Sequence, residues 1–396
     1  VKIVELETIA LVDPGKATET LVRVRTDEGI EGIGQAEAPS RVIEALLQCE
    51  GGLQETVRGE DPLQVERLWQ KMYSATALFG RRGVALAAIG AVETALWDIA
   101  GKIQQRPVCE LIWRAMGAAS LDDVEVQVRR GNGAEAPVGA AAIKRRVVPY
   151  ATVYPPGDGR AEMRRRFRRA ADRGFRAVKL ERWPGGLCAR DAAHDAAVAR
   201  CVRDAIGEER ELMIDVANAW ADVNRAAESI RAMASARLYF VEAPLPPDNL
   251  DAHARLAREV DTRIAAGDWG FTTRFEFEEL MTRGGVDVVQ PSTVRSGGIG
   301  EIVKIAEAAY RRGLLCIPHA WCHGVGVAAA IHLAAVLPNM PYIEYPMAFP
   351  DSPLISDLLV PHPAPDAQGT IEVPGAPGLG VTLNEKVVQR FRVKPR

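Results

Sequence analysis

The fold turns on three segments: ELMIDVANAW at 211–220, LYFVEAPLPP at 238–247 and RIAAGDWG at 263–270. Each is a short run rich in Ile, Val, Leu or Phe that ends in one carboxylate: Asp215, Glu242 and Asp268. A short apolar run closed by turn residues reads as a buried parallel strand. The acids recur roughly every 25 residues, close to one strand-plus-helix repeat of a (β/α) barrel. In such a barrel the carboxyl ends of all strands open into one mouth, so the three acids converge. Three crowded carboxylates repel unless a cation holds them. An oxygen-only ligand set favours Mg²⁺ over a softer metal.

Working outward, eight runs read as strands: VPYATVY, AVKLE, ELMID, LYFVE, RIAAGD, VDVVQ, LLCIPH and YIEY, from Val148 to Tyr345. Helical stretches such as AESIRAMASA and EIVKIAEAAYRRG separate them. This alternation predicts a parallel barrel over residues 148–346. The preceding region differs. VKIVELETIALV and ETLVRVRTDEGIEGIGQAEA alternate apolar and polar residues about a DEG turn, as antiparallel strands do. A helical section follows from Ser40 to Gly117, in which Trp97 and Asp98 are expected to be core and cap. Residues 1–119 thus read as an α+β domain and 120–147, rich in Gly and Ala, as a loop or linker. Residues 347–396 are expected to pack back on the first domain.

The 396 residues suffice for two domains. A net charge of −3 gives no reason to expect nucleic acid or a membrane as partner. The RRRFRR run at 164–169 reads as a solvated helix face. Six scattered cysteines without metal-ligand spacing read as free thiols. No stretch is expected to span a membrane, and a cytoplasmic protein is the expectation. No Gly-rich loop with Lys-Ser/Thr points to nucleotide chemistry.

Other strand ends carry further candidates. Lys179 and Glu181, two apart, face inward together. Ser292 follows the sixth strand, His319 ends the seventh, and Glu344 lies on the eighth. His323 either lines the mouth or caps the next helix. A metal beside a positioned base suits one chemistry. The metal takes a substrate carboxylate, the base removes the proton from the neighbouring carbon, and the enolate is stabilised by charge.

The chain resembles the enolase superfamily, in its mandelate racemase and muconate-lactonizing enzyme family. DEGIEGIGQAE, AAIGAVETALWDIAGK, GFRAVKLE, DVANAW, VEAPLPPDN, AAGDWG, TRFEFEEL, QPSTVRSGGIGE, PHAW, IEYP and GLGV carry the resemblance. It implies an α/β protein: a modified (β/α)₇β barrel under an α+β capping domain completed by the C-terminal segment. It implies Mg²⁺ on Asp215, Glu242 and Asp268, and catalytic roles for His319, Lys179, Glu344 and Glu181. Capping loops at 13–20 and 37–40 would set specificity, with Lys16, Trp220, Ser292 and His323 as substrate contacts. A homo-oligomer acting on a small carboxylate is expected.

The chain departs from the family pattern at the bases. The second strand commonly carries Lys-x-Lys, where Glu181 now takes the second place. The Asp that pairs with the seventh-strand His is replaced by Ser292. Asp268 stands where Glu is usual, and Ala217 where Asn is usual, with Asn218 next to it. Racemisation needs a base on each face, whereas elimination of water needs one. The expected activity is therefore Mg²⁺-dependent dehydration of an acid sugar, aldonate or aldarate. The alternatives are a racemase, epimerase or cycloisomerase of a carboxylate, and a substrate-binding relative without turnover. His319 is expected to act alone as base, with Lys179 beside the substrate carboxylate.

Overall fold

The computed structural model describes residues 1–15, 17–117, 142–154, 159–182, 186–220, 222–322, 324–347 and 352–393. Strands β1 (Ile3–Asp13), β2 (Ala17–Thr26) and β3 (Glu31–Ala36) form an antiparallel meander, with Leu6 opposite Val24 and Ile9 opposite Leu21. The tight turn between β2 and β3 uses Gly29 at φ 76°, a left-handed value that glycine adopts without strain. The long helix Val84–Gln104 lies across this sheet. Gly32 and Gly34 allow the contact, because a Cβ at either would run into the carbonyls of Ala95 and Ala91. The same 21-residue helix is apolar and long enough to cross a membrane by length and composition, but 89% of its apolar window is buried inside the protein.

The second layer is an eight-stranded parallel sheet: β5 (Pro149–Val153), β6 (Ala177–Glu181), β7 (Glu211–Asp215), β8 (Leu238–Glu242), β9 (Ile264–Ala266), β10 (Val288–Val289), β11 (Leu315–Cys316) and β12 (Ile343–Met347). Their spatial order is β11-β10-β9-β8-β7-β6-β5-β12. A helix follows each of the first seven, so the topology is the expected (β/α)₇β. No ladder joins β11 to β12 among the described residues. There the Ala320 N–H donates to the Glu344 carboxylate at 2.8 Å.

Side-chain alternation makes this barrel a floor and a mouth. Ala177, Met213 and Phe240 point inward with Tyr150, Ala265, Val288 and Ile317 and fill the floor. Two residues further along β6, β7 and β8 the inward positions are Lys179, Asp215 and Glu242. A polar layer therefore sits directly above an apolar one. Outside the barrel, the helix Arg160–Asp172 buries Met163, Phe167 and Ala170 and leaves Arg164, Arg165 and Arg168 in solvent, as expected of its basic run.

The C-terminal segment joins both layers. Arg146 and Val147 form a strand, β4, that pairs with β14 (Ile371–Glu372), while β13 (Leu359–Val360) pairs with β15 (Thr382–Leu383). The last residues of the expected 120–147 loop are thus ordered, and residues 118–141 lie outside the described set. Val393 N–H reaches Ala10 O at 2.9 Å. Asp98 is not a cap. It sits mid-helix, fully buried, and accepts from Ile33 N–H at 3.1 Å and Leu379 N–H at 2.9 Å, with Lys102 at 2.7 Å. One carboxylate thereby ties β3, the long helix and the returning tail together.

Candidate active site

The pleat of adjacent strands brings the acids together. Asp215 is the register partner of both Glu181 on β6 and Glu242 on β8. Ligand oxygens of Asp215, Glu242 and Asp268 lie within 4.8 Å of one another, and all three residues are buried. Behind each strand end the chain turns sharply. Ala217 (φ 47°), Asn218 (φ 58°) and Ala243 (φ 46°) are left-handed, Asp215 Oδ1 accepts from Ala217 N–H at 2.8 Å, and Asn218 N–H donates to Ala243 O at 2.7 Å. These strained turns hold the two carboxylates at the mouth.

Lys179 stands in the middle of the acids. Its Nζ is 2.9 and 2.8 Å from the two oxygens of Glu242, 2.8 Å from Glu344 and 4.0 Å from Asp215. Burial opposes its charge, but Glu242 and Glu344 outweigh it, and its pKa lies well above the usual lysine value. Lys179, expected beside the substrate carboxylate, is a buried ammonium paired with Glu242 and Glu344. Glu344 is similarly engaged. Oε1 receives Thr152 at 2.5 Å and Oε2 the Ala320 N–H. Burial would raise its pKa, yet Lys179 and His319 hold it at about 2. It is an ionised acceptor fixed by Lys179, Thr152 and the Ala320 N–H.

The remaining acids carry excess repulsion. Burial, and after it the nearby Asp215, pushes Asp268 up to about 7. Burial lifts Glu242 well above 4.5, against Lys179 and with Asp215 and Asp268. Burial and Asp215 do the same to Glu181. Asp268 Oδ2 is buried and has no hydrogen-bond partner among the described residues. An orphaned carboxylate oxygen among three convergent acids is what a hard divalent cation would satisfy. The donor set fits Mg²⁺.

His319 lies at the end of β11, 6% exposed. Its Nδ1 is 3.2 Å from Ser292 Oγ, so Ser292 touches the ring. Two further groups lie near the ring. Arg295 Nη2 lies 3.2 Å from Nδ1 and 3.4 Å from Nε2, and Glu37 Oε2 of the cap is 4.0 Å from Nδ1. Burial first and Arg295 second push the His319 pKa well below 6.5, so the imidazole is neutral. Arg295 escaped the sequence reading; its signal was a lone cation in the loop just after a strand end.

Above the mouth, a cavity of about 550 Å³ lies between the cap and the loop after β11, lined among others by Thr20, Glu19, Gln35, Glu37, Arg41 and Trp321. Both expected capping loops contribute to it. Trp220 instead packs in the main apolar cluster at 2% exposure, with an indole N–H that has no partner among the described residues. Lys16 and His323 lie outside the described residues.

Residues 5–113 match the family described as mandelate racemase / muconate lactonizing enzyme, N-terminal domain, and residues 162–387 match the enolase C-terminal domain-like family. The chain belongs to the mandelate racemase / muconate lactonizing enzyme family of the enolase superfamily. Within that family it is 30% identical over 373 residues to an arabinonate dehydratase of Saccharolobus solfataricus, covering 94% of this chain and 90% of the relative. It is 30% identical over 395 residues to a D-galactarolactone cycloisomerase of Agrobacterium fabrum, covering 96% and 92%. Among solved structures, the 3,6-anhydro-D-galactonate cycloisomerase of Zobellia galactanivorans superposes over the full length of both chains with a TM-score of 0.83 at 26% identity.

Proposed function

We propose that this family member removes the proton next to a substrate carboxylate and expels the neighbouring hydroxyl as water, dehydrating an acid sugar. The observation that carries this reading is the orphaned Asp268 oxygen within a buried acid triad that shares its mouth with a neutral histidine. Asp215, Glu242 and Asp268 would hold Mg²⁺, which when bound supplies positive charge to the substrate carboxylate. His319 accepts the C2 proton. As the conjugate acid, the same ring delivers that proton to the C3 hydroxyl, which leaves as water, and the resulting enol becomes a 2-oxo acid. The cap cavity, lined by Glu19, Gln35 and Thr20, is the place for the sugar chain.

Among the described residues, the other candidates for a second base are Lys179 and Glu181. Lys179 is held as an ammonium by two carboxylates, and Glu181 is pushed toward its neutral form. This argues against racemisation. Cycloisomerisation also needs one base, and two of the relatives named above are cycloisomerases. The reading places residues 1–119 as the cap, 148–346 as the barrel and 347–396 as the returning segment. Six free thiols fit a reducing, cytoplasmic setting.

The test is a screen of the purified protein with Mg²⁺ against arabinonate, D-galactonate, L-rhamnonate and D-galactarolactone, the substrates named for its relatives. Formation of a 2-oxo-3-deoxy acid supports dehydration. Lactone isomerisation without loss of water supports the cycloisomerase. Mg²⁺ binding without turnover of any member, or exchange of its α-proton, marks a binding relative.

A further inference from the structure

The resemblance implies an Asp beside His319, and Ser292 stands in that place here. A neutral hydroxyl 3.2 Å from Nδ1 can accept a hydrogen bond but cannot balance an imidazolium. The problem is sharpened by Arg295. Its Nη2 is nearly equidistant from both ring nitrogens, hence beside the ring rather than in line with either lone pair. Guanidinium only donates. Were it to swing onto Nδ1, the ring proton would be forced to Nε2, and the lone pair needed for proton abstraction would be lost.

One carboxylate can prevent this. Glu37, at the end of β3, is tethered to the loop after β10 by its N–H, which donates to Val294 O at 3.1 Å. Its Oε2 is 3.2 Å from Arg295 Nε and 4.0 Å from His319 Nδ1. The contact with Arg295 lies off the N–H axis, so both atoms are buried without a completed hydrogen bond. Glu37 Oε2 is therefore close to the Arg295 guanidinium and to the neutral His319 ring, yet completes a hydrogen bond with neither.

We propose that Glu37, contributed by the capping domain, is the positioning carboxylate of His319, doing from across the domain boundary what the missing strand-end Asp does within the barrel. It draws Arg295 aside, favours the Nδ1-protonated ring, and balances the imidazolium formed on proton abstraction. The base is then complete only when the cap is docked, which couples enclosure of the substrate to reactivity. This rests on the reading of His319 as the base. The groups facing the ring are Ser292 and Arg295 after β10, Glu344 on β12, Lys179 on β6 and Glu37; Glu37 itself faces Arg295, Glu344 and Glu19. Burial first, relieved by Arg295, sets the Glu37 pKa at about 7, so its charge is available from neutral pH upward.

The experiment compares the Mg²⁺-loaded wild type with Glu37→Gln, Glu37→Asp and His319→Asn. Ring ¹⁵N NMR, with the His319 signals identified by their loss in His319→Asn, reads the tautomer and pH response without substrate. Exchange of the α-proton of D-galactonate and arabinonate with D₂O reads the chemistry. Glu37→Gln should move the ring proton from Nδ1 toward Nε2, shift the ring's titration to lower pH, and slow exchange about 10- to 100-fold with a smaller change in KM. Glu37→Asp should recover part of each effect. An unchanged tautomer and titration in Glu37→Gln would overturn the proposal. Exchange that survives in His319→Asn would instead sink the base assignment, a separate result.

Discussion

Replacing Lys179 by Met tests the electrostatic core of the mouth. The ammonium is 1% exposed and contacts Glu242 and Glu344 within 2.9 Å. Removing one member of a buried charge cluster typically costs ~3–5 kcal/mol, because the partners stay behind uncompensated. An independent figure comes from Glu344, which is held at about 2 against an ordinary 4.5. At ~1.4 kcal/mol per pH unit this is worth about 3 kcal/mol at neutral pH. Because the folded value is depressed, that stability is present above 4.5 and lost as the pH falls toward 2. A loss of roughly 3 kcal/mol corresponds to a Tm lower by about 4 °C for a chain of this length, at ~2.1 cal/mol/K of unfolding entropy per residue. The assay is thermal unfolding at pH 7 in EDTA and again with saturating Mg²⁺. Lys179→Met should melt below wild type in EDTA and gain more from Mg²⁺, since a dication would neutralise the same acids. A variant as stable as wild type in EDTA, or one that gains nothing extra from the metal, would refute the reasoning.

Four further outcomes follow from the site. Asp215→Asn and Glu242→Gln should abolish Mg²⁺ binding by calorimetry and turnover together, and EDTA should reversibly stop the wild type. Apparent Mg²⁺ affinity should rise with pH through about 7, with protons released on binding, because Asp268 must lose its proton to ligate; the raised pKa values of Asp268, Glu242 and Glu181 also mean that metal-free stability falls as pH rises from about 4 through 7, measurable as Tm against pH. His319→Ala should lower kcat ~10²–10⁴-fold with Mg²⁺ binding kept. Gly34→Ala should cost ~1–3 kcal/mol in urea unfolding, since its methyl group would push β3 off the Ala91 carbonyl.

Much of this was legible in the chain. Period-two alternation in β6–β8 fixes which residues face the barrel interior, so the convergence of Asp215, Glu242 and Asp268 follows from sequence once the repeats are recognised. The same logic found Lys179, His319 and Glu344 as inward residues. It could not say what each side chain touches. The pairing of Lys179 with Glu344 joins β6 to β12, a closure of the sheet that no local pattern encodes. Asp98 was mistaken for a cap because its partners, Ile33 and Leu379, lie 65 and 281 residues away. Glu37 and Arg295 are the sharpest case. In sequence they are an acid after a cap strand and a cation in a loop, 258 residues apart by numbering. Arg295 reaches His319 through the pairing of β10 with β11, and only the docking of the cap on the barrel brings Glu37 to them, because burial and charge pairing are properties of the assembled interface rather than of either segment.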